Sequence, residues 1–255
     1  MNLKINMPKF KNIATCLGAK DLITYIFQSK IFINSDFKIY LIAKSFSIVI
    51  LKFINIFYKI NFIFINENDL LKKIDIIDFN ITLNLYNKIL LKKSGWYKQQ
   101  ILKYAIHSII NDNYLIIDSD TFPRDLDCLT NINSDFRYYN TYASLHTPYE
   151  ETFNKLLNVD IEPSIYNYVT EVFPMNYIIL KEMLSKIEVI HKDKWHIAIL
   201  KNIDTLYGFS EYQTFGKYQF LYNYPVVNMH YITDRHFGKK QLSIRKVENC
   251  STDFI

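Results

Sequence analysis

Short apolar runs bounded by polar turns alternate, in the first half of the chain, with segments of helical period. Asn12 to Leu17, Phe37 to Ala43 and Asn61 to Asn66 read as strands. Lys20 to Ser29 reads as a helix. The most apolar stretch, residues 39 to 58, is interrupted by Lys44 and Lys52, each costly at a bilayer centre, so it reads as buried sheet and helix rather than a membrane span. From Ser94, read as an N-cap, Ile101, Leu102, Ala105, Ile106 and Ile109 repeat at helical spacing. Asn111-Asp112-Asn113 then marks a turn into residues 113–122, read as a short buried parallel strand. The alternation predicts a βαβ architecture.

Beyond Leu129 the pattern is mixed: an aromatic segment from Phe136 to Tyr142, then helical stretches around Thr152 to Leu157, Tyr177 to Ile187 and Glu211 to Phe220. No Pro/Gly/Ser-rich linker separates the halves and no repeat of fixed period is present. One continuous domain is therefore expected over residues 1–245, with one half at about 10–130 and a second at about 131–245. Residues 246–255 read as a polar tail that frays.

Where the run Tyr114-Leu115-Ile116-Ile117 ends, Asp118-Ser119-Asp120 follows. A buried strand that ends in acids delivers them to the rim of a sheet, where they can hold a divalent cation against a phosphate-bearing ligand. A second copy, Asp125-Leu126-Asp127, has no strand before it and reads as a turn. The first pair is the candidate site.

Composition narrows the chemistry further. With 49% hydrophobic and 16% aromatic residues, 255 residues can bury a large core. Only 5 Gly are present, and Gly18 and Gly95 belong to neither a G-x-G-x-x-G nor a G-x-x-x-x-G-K pattern, which disfavours dinucleotide-fingerprint and P-loop folds. Cys16, Cys128 and Cys250 are far apart, without the spacing of a zinc or redox pair, and fit a reducing compartment such as the cytoplasm. Met1 to Lys11 lacks the apolar core of a secretory signal. A net charge of +5, spread along the chain, argues against nucleic acid. Clusters such as Lys52 to Lys59, Lys92-Lys93 and Lys239-Lys240, which mix lysines with apolar residues, suit peripheral contact with an anionic membrane surface at the inner face of the plasma membrane, or simply solvated faces.

Three segments together carry a resemblance. Ser94-Gly95-Trp96-Tyr97-Lys98-Gln99-Gln100 precedes the Asp118-Ser119-Asp120 strand, and Ser210-Glu211-Tyr212 with Gly216-Lys217-Tyr218 follows. Over roughly residues 10 to 235 the chain resembles bacterial glycosyltransferases of the GT-A fold, which carry G-W-Y-x-Q-Q, D-x-D and S-E-Y motifs. The resemblance implies a Rossmann-like single domain with a mixed, mainly parallel central sheet. It further implies a nucleoside-diphosphate sugar donor, UDP-sugar favoured, and a saccharide or lipid-linked acceptor in surface polysaccharide synthesis. Mn²⁺ or Mg²⁺ would sit on Asp120 and Asp118, with Asp120 the leading ligand. His230, at the end of an apolar run, is a candidate further metal ligand, ahead of His236.

Glu211 is the candidate general base for an acceptor hydroxyl, or alternatively a first-turn acid behind a Ser210 cap. Asp21 is a candidate contact to base or ribose, or a helix cap. Lys98, Gln100 and Trp96 are candidate donor-site residues on the helix from Ser94. The family tends to carry histidine where this chain reads Phe173-Pro174-Met175, so no acceptor-side role is assigned there. A nucleotidyltransferase would also use strand-end acids but adds a triphosphate loop, and a non-catalytic carbohydrate-binding protein would keep the fold without turnover.

Overall fold

Parallel strands need crossovers and cover on both faces, and the helices between and after the strands supply both. The computed structural model describes residues 10–123, 126, 129, 137–139, 146–170, 172–221, 226–236 and 239–249. Strands β1 (Asn12–Cys16), β2 (Lys38–Ala43), β3 (Phe62–Asn66) and β4 (Tyr114–Ile117) run parallel, and β7 (Val172–Met175) joins them antiparallel in the order β3-β2-β1-β4-β7. This is the expected α/β architecture with a mixed, mainly parallel central sheet. Ile13 pairs with Ile39 on one side and Leu115 on the other.

Side-chain alternation splits the interior into two cores. Ile13, Ile39, Leu41, Leu115 and Ile117 pack toward α1 (Leu22–Gln28) and α2 (Ser45–Tyr58). Ala14, Ile42, Tyr114 and Ile116 face the larger core, which includes residues of α5 (Ser94–Ala105), α6 (Thr147–Leu157), α7 (Tyr177–His191), α8 (Trp195–Lys201) and α9 (Glu211–Phe220). Two further helices, α3 (Glu67–Lys73) and α4 (Phe79–Tyr86), complete that layer. Pro174 is accommodated because β7 is an edge strand.

Three expectations are corrected. Ser94 is the first residue of α5 and not its cap: its N–H already donates to Leu91 O in the preceding 3-10 turn, and Lys93 takes the cap position. The run expected as one strand over 113–122 is divided. β4 stops at Ile117, Thr121 N–H donates to Asp118 O at 2.9 Å, and Thr121–Pro123 becomes β5 of another sheet. That four-stranded sheet, ordered β5-β9-β8-β6, holds β6 (Arg137–Tyr139), β8 (Val226–His236) and β9 (Lys239–Asn249). Residues 246–249, read as tail, are thus paired in β9: His230 lies opposite Lys246 and Val227 opposite Asn249.

Candidate functional site

The strand order places β2 on one side of β1 and β4 on the other, and such a switch point leaves a crevice beyond the carboxyl ends of the strands. A cavity of about 560 Å³ occupies it, with Cys16 at the end of β1 and Asp118 at the end of β4 in its wall. Because Asp118, Ser119 and Asp120 form the turn between the two sheets, both carboxylates reach the cavity. Across from them, α5 presents Trp96, Gln99, Gln100 and Lys103, spaced i, i+3, i+4 and i+7 on a single face.

Lys103 is the hub. Its ammonium lies 2.7 Å from Asp118 Oδ1, 2.6 Å from Glu211 Oε1 and 3.0 Å from the Tyr212 hydroxyl, which donates to Asp118 Oδ1 at 2.7 Å. Burial works against the Lys103 charge, but Asp118 and Glu211 outweigh it and hold its pKa well above the ordinary lysine value. Burial raises the Glu211 carboxyl above the usual range, with Lys103 opposing it. The Tyr212 hydroxyl is pushed well up by burial and by Asp118.

The backbone at Glu211 is clamped as firmly as its carboxylate. Its N–H donates to Gln100 Oε1 at 3.1 Å, and its carbonyl accepts from the Tyr104 hydroxyl at 2.6 Å. Ser210 caps α9 through Gln213 N–H at 3.3 Å, as its position suggested. Behind the site, Glu150 pairs with Lys217 and accepts from Gln213 Nε2 at 2.6 Å. Phe173, in the Phe173-Pro174-Met175 stretch where the family tends to carry histidine, stacks on Tyr212 with centroids 5.2 Å apart.

The model of a family described as "Family of unknown function (DUF6492)" matches residues 34–249. The chain belongs to that family. The DUF6492 match takes in α5, the Asp118–Thr121 turn and the Ser210-Glu211-Tyr212 segment, and begins after β1 and Asp21. No curated protein matches the sequence. Among solved structures, mouse xyloside xylosyltransferase 1 in its apo form is 13% identical to this chain, with a TM-score of 0.40 over 76% of this chain and 81% of that one.

Of the DUF6492 chain's expected site residues, Asp21, Trp96, Gln100, Asp118, Asp120 and Glu211 all line the one cavity. Asp21 occupies the N-cap position of α1 but makes no side-chain cap bond; its carboxylate instead accepts from Ser119 Oγ at 3.2 Å. Lys98 points elsewhere: it pairs with Glu67 at 2.7 Å and lines a neighbouring cavity of about 180 Å³. His230 lies on β8, and the side chain on which its metal role depends is outside the described residues, as are those of His236, Asp125 and Asp127. Lys103 was missed, although its spacing from Trp96 and Gln100 along α5 places it on their face.

The cavity is rich in acid. Asp21, Asp118, Asp120 and Glu211 face Lys20 and Lys103 within its lining. No described residue forms a hydrogen bond or ion pair with Asp120. Among the described residues, no group of three or more His, Cys, Asp or Glu side chains is placed to hold a metal ion.

Proposed function

We propose that this chain is a metal-dependent glycosyltransferase. It moves a sugar from a nucleoside-diphosphate donor, UDP-sugars favoured, to a saccharide or glycolipid acceptor of bacterial surface-polysaccharide synthesis. The observation that carries this reading is the meeting of the D-x-D turn, the G-W-Y-x-Q-Q helix and the S-E-Y segment in one cavity, with Lys103 joining all three.

Electrostatics supports a cation. An anionic diphosphate does not enter a pocket with more carboxylates than ammonium groups unless positive charge comes with it. Asp120 and the Asp118 oxygen not engaged by Lys103 offer hard donors for Mn²⁺ or Mg²⁺. Two carboxylates completed by ligand phosphate and water is the usual Mg²⁺ arrangement. When bound, such an ion neutralises charge on the departing diphosphate.

The protein's own groups then have distinct tasks. Lys103 and Tyr212 fix Asp118 in one orientation, while Trp96 offers a ring to sugar or base. Glu211, with its pKa raised by burial, takes the proton of an acceptor hydroxyl; its Oε1 is engaged by Lys103, which leaves Oε2 for that contact. The test is a thermal-shift panel of UDP-, GDP-, CMP- and dTDP-sugars with and without Mn²⁺, followed by donor hydrolysis. A metal-dependent rise in melting temperature for one donor class, with slow hydrolysis, is expected. No shift with any donor would sink the reading.

A further inference from the structure

α2 turns one apolar face inward and another outward. Ser47, Ile48 and Leu51 are buried, whereas Phe46, Val49, Phe53, Ile56 and Phe57 recur at helical spacing on the opposite side. Ile23 and Phe27 of α1 add to this exposed apolar surface, and all seven lie between 62% (Phe27) and 75% (Phe46) exposed. Single exposed apolar residues are ordinary, but a strip rich in phenylalanine is the signature of an interaction surface. Phe53 and Phe57 meet edge to face with centroids 5.8 Å apart. The Lys30 ammonium ties the two helices together, 5.5 Å from the Phe27 ring centroid and 5.3 Å from that of Tyr58.

The charge that α2 and the segments beside it carry is mainly positive. Lys30, Lys44, Lys52 and Lys59 are exposed at or between the helix ends, and α2 contains no acid. Between residues 20 and 60 the only acids are Asp21, which is buried, and Asp36. With 14 residues, α2 does not cross a bilayer, and no described helix is long and apolar enough to do so.

We propose that the outer face of α1 and α2 docks on an anionic lipid bilayer. The phenylalanines and isoleucines enter the interfacial layer, and the lysines meet acidic headgroups. A second copy of this chain is a poor occupant, because a two-fold pairing of this face would set lysines against lysines. The surface stands independently of the transferase reading. Its geometry also bears on that reading: α2 starts directly after β2, at the carboxyl edge where the cavities open, and Lys44 lines the smaller of them. Docking by this face brings a glycolipid acceptor to the correct edge of the sheet.

The experiment is vesicle flotation of the full chain with phosphatidylcholine alone and with about a third phosphatidylglycerol, at low and high salt. The expected result is salt-sensitive binding to the anionic vesicles. The double substitution Phe53→Ser/Phe57→Ser should weaken it by at least about tenfold. Lys52→Glu/Lys59→Glu should weaken binding to anionic vesicles by about fivefold or more. Circular dichroism melting, expected to be nearly unchanged for these exposed positions, checks that both variants are folded. Absent binding by folded wild-type protein, or equal binding by the phenylalanine variant, would overturn the proposal. So would a concentration-dependent dimer in sedimentation velocity that the phenylalanine variant abolishes, since the face would then belong to a second copy. None of these readouts involves sugar transfer, so they fail or succeed separately from it.

Discussion

The Lys103 ammonium lies 2.6 Å from the Glu211 carboxylate, although 108 residues separate the two along the chain. Both side chains are largely withdrawn from solvent, with 11% and 4% of their surfaces exposed. Removing one partner strands the other, a change that costs about 3–5 kcal/mol for buried pairs. Lys103→Met is therefore expected to lower stability on that scale in urea unfolding. In a double-mutant cycle with Glu211→Gln, a coupling of about 1–3 kcal/mol should appear. Glu211→Gln alone should reduce transfer about 10²- to 10⁴-fold with donor affinity hardly changed. Full transfer by that variant would remove Glu211 as the base.

Asp120 has no described partner to lose. Asp120→Ala should leave the melting temperature of the free protein within a few degrees of wild type. It should abolish the Mn²⁺-dependent stabilisation by the correct donor. Retention of that stabilisation would move the metal to other groups.

Two glycines should respond in opposite directions. A β-carbon at Gly216 in α9 would lie 2.6 Å from Tyr168 Cβ, and Tyr168 is fully buried with its N–H held by Gln213 Oε1. Gly216→Ala is expected to cost about 1–3 kcal/mol through overpacking. At Gly95, in the first turn of α5, nothing lies within 4 Å of the same position, so Gly95→Ala should stabilise by about 0.5–1 kcal/mol. Urea midpoints measured at one temperature decide both.

Acid should destabilise the fold through His196. Burial, with help from Lys194, lowers its pKa to about 4, and its Nδ1 has no hydrogen-bond partner. The folded chain therefore favours the neutral ring more than the unfolded chain does. That contribution is complete above the ordinary value of 6.5 and is lost as pH falls toward 4. It amounts to about 3 kcal/mol, and His107, also lowered by burial, acts in the same direction. His196→Leu should flatten the stability curve between those pH values. An unchanged slope would assign the acid sensitivity to other groups.

The sheet was legible because its strands are short, mainly apolar runs set between polar turns, so β1, β2 and β3 read with ends within a residue of those found, although β3 at the sheet edge is only half-buried. The four-stranded sheet was not. Its β9 shows only a brief alternation at Leu242 and Ile244 amid lysine and arginine, and the pairing of β8 shifts register between His230 and Tyr231, which breaks the period. At the site, the acids were found because they end a strand. Lys103 was hidden because a lysine on a helix ordinarily reads as solvated, and only the fold brings Asp118 and Glu211 to it.

Glu211 N–H closes on Gln100, and Glu211 O on Tyr104, so the wall of the cavity is completed by a segment more than 100 residues downstream of α5. A ribosome delivers β1 to β4 well before that segment emerges, but a domain orders as a unit. The emerging chain thus contains the acid turn before it contains the carboxylate and tyrosine that orient it. A truncation before Ser210 removes one wall of the pocket together with Tyr212, Phe215 and Tyr218 of the larger core.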